Sequence, residues 1–153
     1  MACWGGASGL AGGAMLGAQG IKIKAEARVL TFKLGGKATL PPPKNAPAAL
    51  PEPPAMTADA ATLGLGRALF NGYCGVCHGL NAVGAGVLPD LRYLTADKHT
   101  IFAGILAGAY ASKGMPSFSA LLTPEYTNAV HQYVIKRAHD LKDDLNPPKE
   151  AAK

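Results

Sequence analysis

A chain of 153 residues has room for one folded domain and little more, and its net charge of +5, with a pI near 9.2, favours partners of acidic surface. Its lysines and arginines are scattered, with no basic run carrying interleaved aromatics, which argues against nucleic acid as a partner. No paired carboxylates, nucleophile–base arrangement or phosphate-cradling loop stands out, so the sequence offers no hydrolytic site.

From the N-terminus, residues 1–20 lack a basic leading region and their apolar run is broken by glycines, which fits no secretory signal. The same glycines, followed by Lys22 and Lys24, exclude a membrane span. Val29 to Leu34 has the pattern of a short strand, and a strand needs a partner. Pro41, Pro42, Pro43, Pro47, Pro51, Pro53 and Pro54 then rule out a helix or central strand and predict an extended, semi-rigid linker. The expected organisation is an irregular N-terminal extension over 1–40, a Pro-rich linker over 41–56, a folded domain over 57–145 and a tail over 146–153.

Thr57 can cap a helix over 58–71, with Asp59 in its first turn. Leu63, Gly66, Arg67 and Phe70 recur at helical spacing, and Gly66 offers a place where another helix can cross closely. Cys74-Gly75-Val76-Cys77-His78 follows, and Cys-X-X-Cys-His is the attachment signature of c-type haem. Two thiols three positions apart can each add to one vinyl group of a porphyrin, and the next residue then lies under the iron as an imidazole ligand. A thioredoxin-like redox pair would need a βαβ surround that this chain does not show. A zinc site would need four ligands, and the remaining cysteine, Cys3, has no Cys or His pair at metal spacing.

Beyond His78, the glycine-bearing stretch from Asn81 to Val87 predicts a loop. Pro89, in Leu88-Pro89-Asp90-Leu91, can offer its carbonyl to the free ring N–H of His78, a bond that orients a ligating imidazole and raises its basicity; a plain turn is the alternative. Thr95 and the apolar face of Ile101, Phe102, Ile105 and Leu106 predict a helix over 96–107, ended by Gly108. Met115 lies 37 positions after His78 (115 − 78), far enough for the chain to reach the opposite haem face. A thioether on iron with imidazole opposite raises the potential, while Gly114 and Pro116 shape a loop that holds the sulfur. Thr123, Pro124 and Glu125 start a final helix that runs to about Leu141 and packs on the first. His99, His131 and His139, among polar neighbours, are expected to be solvated.

The fold class is therefore all-α, a small cytochrome c-like haem domain. A core of this size is marginal without the porphyrin, so the apo form should be poorly folded.

The runs Asn71-Gly72-Tyr73-Cys74-Gly75-Val76-Cys77-His78-Gly79, Gly86-Val87-Leu88-Pro89-Asp90-Leu91-Arg92-Tyr93 and Gly114-Met115-Pro116-Ser117-Phe118 resemble the C-terminal cytochrome c domain of quinohaemoprotein alcohol dehydrogenases, which use pyrroloquinoline quinone (PQQ). Cys3-Trp4-Gly5-Gly6-Ala7 and the run from Val29 to Pro41 resemble the end of the propeller domain that precedes it in that family. The resemblance implies one covalent haem c held by Cys74 and Cys77, iron ligation by His78 and Met115, and orientation of His78 by Pro89. Arg92 and Tyr93 are candidate contacts for the haem propionates. It implies electron transfer from a PQQ-type dehydrogenase to an acidic redox protein or a quinone-linked acceptor, in the periplasm, with PQQ and calcium confined to a propeller domain that these residues do not contain. The chain is expected to be a C-terminal fragment, a split-gene product or an independent domain, and not to oxidise alcohol alone. A ligand-sensing or peroxidase-like haem protein is the rival class and would require an open iron position.

Overall fold

The computed structural model describes residues 33–37, 39, 49–84 and 88–146, and these are helical, with no strand among them. The strand expected over 29–34 falls outside the described residues except for Lys33 and Leu34, which enter a turn closed by the Gly36 N–H on the Lys33 carbonyl at 2.9 Å. Cys3 also lies outside them.

Helix α1 spans Ala60–Leu69. Its cap is Asp59 instead of Thr57: the Asp59 carboxylate accepts from the Thr62 N–H at 2.8 Å. A charged oxygen at that position satisfies an orphan amide and meets the positive end of the helix dipole. The Thr62 amide in turn holds the Asp59 carboxyl below its ordinary pKa.

The helix does not stop near residue 71. It widens into a single π turn, Phe70–Cys74, and resumes as α2, Gly75–His78. One rod thus carries both the core residue Phe70 and the Cys-X-X-Cys-His run. Gly79 ends it at φ 80° and ψ 149°, backbone that a side chain would strain. Short 3-10 turns follow at Leu80–Ala82 and Leu91–Tyr93.

The helix expected over 96–107 is broken in two. Helix α3, Ala96–Thr100, ends at Ile101 (φ −97°, ψ 12°), and α4, Phe102–Gly104, leads into a π turn at Ile105–Ala109 that closes with Gly108 at φ 112°. Thr95 has capping backbone, but its hydroxyl donates to the Asp97 carboxylate and caps no amide. Helix α5, Pro124–Leu145, runs past Leu141, with Thr123 Oγ1 accepting from the Tyr126 N–H at 3.2 Å and Pro124 at the first position.

Helices α1 and α5 meet at Gly66, where a Cβ would stand 2.1 Å from the Ala129 carbonyl oxygen and 2.9 Å from Tyr133 Cβ. Only glycine allows that crossing. Around it Phe70, Val130 and Val134 are fully buried, joined by Cys74, Phe102, Leu106, Leu122 and Tyr133, with Leu91, Leu94, Met115 and Phe118 packed against them.

The three histidines are not in solvent. His99 is buried, with Nδ1 2.9 Å from Nε2 of His131, and the His131 ring stacks on Phe102 at 4.3 Å. His139 Nε2 donates to the Pro54 carbonyl at 2.8 Å. Polar neighbours in sequence occupy other faces of a helix, so they do not report on the face that packs. Burial, and then the neighbouring His99, pushes His131 down to about 4, and burial lowers His99 as well, so the pair meets as neutral rings at neutral pH.

Candidate functional site

Cys74 closes the π turn and is buried; Cys77, one α-helical turn later, is exposed, and neither is in a disulfide. Burial, reinforced by Cys77, pushes the Cys74 thiol up to about 11. A reactive redox pair works through a depressed thiol pKa, so this environment is opposite to that of a thioredoxin-type site. It keeps Cys74 as a neutral thiol against apolar side chains.

His78, at the end of α2, presents Nδ1 to the Pro89 carbonyl at 3.1 Å. A carbonyl can only accept, so Nδ1 must carry the proton. The lone pair is then on Nε2, which has no protein partner among the described residues. The bond spans eleven residues and pins the loop to the motif.

Further along the chain, Gly114 takes left-handed backbone (φ 89°), and the next residue, Met115, packs against the buried cluster with its N–H on the Tyr110 carbonyl at 3.2 Å. Phe118 N–H donates to the Leu106 carbonyl at 2.8 Å and Ser117 Oγ to the Ala107 carbonyl at 3.0 Å. The methionine loop is thereby sewn to the π turn. Tyr73, beside Cys74, meets Phe118 edge-on with centroids 6.5 Å apart, so the motif and the loop share a wall.

Arg92 is held within its own turn: Nε donates to Asp90 Oδ1 at 2.9 Å and Nη2 to Asp90 Oδ2 at 2.6 Å, a two-pronged pair. Asp90 also accepts the Arg92 N–H at 3.1 Å. Tyr93 is half-buried in the same turn. A groove of about 500 Å³, lined by His99, Phe102, Leu106, Phe118, Leu122 and His131 among others, includes none of Cys74, Cys77, His78 or Met115. Its size does not make it the centre of the chemistry.

These residues suit a c-type haem: two unpaired thiols one turn apart, an imidazole whose Nδ1 is held and whose Nε2 has no partner among the described residues, and a methionine packed on the same apolar cluster. The comparisons with known proteins agree. A family described as cytochrome C oxidase, cbb3-type, subunit III matches residues 61–134. Quinohemoprotein alcohol dehydrogenase ADH-IIG of Pseudomonas putida is 49% identical over 144 residues, covering 94% of this chain and 20% of its own length. The dehydrogenase subunit of alcohol dehydrogenase (quinone) from Gluconobacter oxydans is 37% identical over 119 residues, or 76% of this chain and 16% of its own length. A solved structure of ADHIIG from Pseudomonas putida HK5 superposes with a TM-score of 0.63 at 52% identity, covering 72% of this chain and 16% of that one. The chain belongs to the cytochrome c domains of the quinohaemoprotein alcohol dehydrogenases. It spans about a fifth of the length of the curated relatives it matches.

One part of this cytochrome c domain escapes sequence reasoning. Asn81 takes φ 59° and ψ 29° just past the motif; its side chain accepts from Tyr133 Oη at 3.0 Å, and its carbonyl accepts from Arg137 Nε at 3.0 Å. Asn71 Oδ1 receives the Asn81 N–H at 3.2 Å. This network ties the segment after His78 to both α5 and the π turn. The available signal was Asn81 itself, since asparagine tolerates left-handed backbone; its partners, 52 and 56 residues away, had none.

Proposed function

We propose that this cytochrome c domain carries single electrons through one haem c, bound by Cys74 and Cys77 and ligated by His78 and Met115, between a PQQ-dependent dehydrogenase unit and a downstream acceptor. The observation that carries the reading is the Pro89 carbonyl against His78 Nδ1, which fixes the tautomer and leaves Nε2 as a ligand. Bound haem supplies a one-electron iron couple whose potential a methionine ligand raises. The protein's part is to hold still: α1 and α2 set the thiols, the Pro89 loop sets the imidazole ring, and the sewn loop over residues 114–118 sets the sulfur. Such rigidity limits the rearrangement that accompanies a change of iron charge.

The donor is a quinoprotein dehydrogenase domain or subunit, and the relatives' names support this assignment. PQQ and calcium belong to that unit, as does alcohol oxidation. The acceptor is an acidic redox protein or a quinone-linked carrier, in keeping with the net charge of +5. The setting is extracytoplasmic, and the periplasm is its proposed compartment; no helix among the described residues is long and apolar enough to cross a membrane. The folded haem unit is assigned to 57–145, preceded by a propeller-derived segment over 1–40. Stopped-flow mixing of the haem-loaded chain with a reduced quinoprotein dehydrogenase tests the assignment. Rapid single-electron reduction is expected, and steady PQQ-dependent alcohol turnover by this chain alone would overturn it.

A further inference from the structure

The residues just before α1 do not hang free. Thr57 N–H donates to Gln132 Oε1 at 3.3 Å, the Pro54 carbonyl accepts from His139 Nε2 at 2.8 Å, and Lys142 Nζ reaches both oxygens of Glu52 at 2.6 and 2.8 Å. Pro53, between the last two contacts, is buried, and Leu50, Pro51 and Pro54 are half-buried. As the first chain number falls from 57 to 54 to 52, the partner rises from 132 to 139 to 142. The segment therefore runs antiparallel to α5.

The lengths agree with a fixed register. Gln132 to Lys142 is ten residues, about 15 Å along a helix axis at 1.5 Å per residue. Thr57 to Glu52 is five residues, about 15.5 Å at the polyproline rise of 3.1 Å. Pro51, Pro53 and Pro54 hold φ near the value that conformation needs and lower the entropy lost on docking. A flexible segment of the same length would not keep three polar contacts in step.

We propose that residues 50–57 form a strap docked on the haem domain, and that Gln132, His139 and Lys142 are positioning residues that fix where, and in which direction, the preceding chain reaches this domain. The strap delivers that chain to the C-terminal end of α5. Resting on the electron-transfer reading above, its function is to hold the donor unit at a constant orientation to the haem.

The test uses the haem-loaded full chain carrying Cys3→Ser and Ala49→Cys, with a nitroxide on the new thiol. Pulsed dipolar EPR between ferric iron and the label should give one narrow distance distribution, and the Thr57 amide should exchange about tenfold more slowly than in an unstructured peptide. Adding His139→Ala with Lys142→Glu should broaden the distribution and abolish the protection, leaving the visible spectrum and midpoint potential unchanged. His139→Gln alone, which still offers an N–H to Pro54, should keep both signals. A broad distribution with an unprotected Thr57 in the parent, or signals indifferent to the double substitution, would overturn the strap. A double variant with an altered spectrum or potential would show a merely structural role and overturn the positioning role. If no covalent haem is present, the electron-transfer reading fails, and exchange at Thr57 still decides the strap.

Discussion

Replacing Gly66 by alanine should destabilise the domain although alanine is the better helix former. A Cβ there would lie 2.1 Å from the Ala129 carbonyl oxygen, and that oxygen is backbone within α5, so no side chain can swing aside. Reaching a tolerable separation of about 3 Å requires α1 and α5 to part by roughly 1 Å, loosening the contacts of Phe70 with Tyr133 beside the attachment motif. Overpacking of this kind costs about 3 kcal/mol at the upper end of its usual range, because both elements are rigid. The gain in helix propensity offsets about 1 kcal/mol. The net loss of about 2 kcal/mol corresponds to a fall in Tm of roughly 8–16 °C for a domain of this size. Gly64→Ala is the internal control: nothing lies within 4 Å of its would-be Cβ, so it should raise Tm. Thermal unfolding of both haem-loaded variants, followed by far-UV circular dichroism, gives the comparison. Equal stabilisation by the two substitutions would refute the close crossing.

Met115→Ala should lower the midpoint potential and admit carbon monoxide to ferrous iron without displacement of a ligand; an unchanged sulfur-to-iron charge-transfer band would assign the sixth ligand elsewhere. Cys77→Ala should leave haem attached through a single thioether at Cys74, seen as a shifted haemochrome spectrum, whereas complete loss of covalent haem would show that Cys74 cannot react alone. His131, folded at about 4 against an ordinary 6.5, binds fewer protons in the native state than in the unfolded state across that interval. Stability should therefore be complete above pH 6.5 and fall as pH drops towards 4, and His131→Gln should flatten this part of the Tm profile; an identical slope in the variant would exclude the His99–His131 pair as its cause. Reduction by an acidic partner should slow as salt rises, since exposed charges are screened over roughly 10 Å at 0.1 M; a rate indifferent to salt would rule out electrostatic steering.

The legible parts of this chain were those whose chemistry is local. The attachment motif, the cap and proline that start α5, and the glycine that admits the helix crossing are each readable from one residue and its near neighbours. Element ends were less legible. The π turn at Phe70–Cys74 carries the first helix on into the attachment motif, past residue 71 where the apolar spacing ends it, because an inserted residue resets the apolar phase. Ile101 breaks α3 from α4 within a continuous apolar pattern that gives no sign of it. Long-range polar contacts were hidden altogether: His139 finds Pro54 across 85 residues, and Asn81 finds Tyr133 across 52.

Electron transfer by this domain depends on the proposed haem, held by Cys74 and Cys77 with its iron ligated by His78 and Met115. Exporting the chain with a signal peptide in a haem-maturing host, then recording intact mass after denaturation together with the visible spectrum of the native protein, tests it most directly. The expected result is a mass increased by one haem that acidified organic solvent does not remove, and a low-spin spectrum with a sulfur-to-iron band that Met115→Ala abolishes. A polypeptide of unmodified mass, or haem that extracts freely, would contradict it.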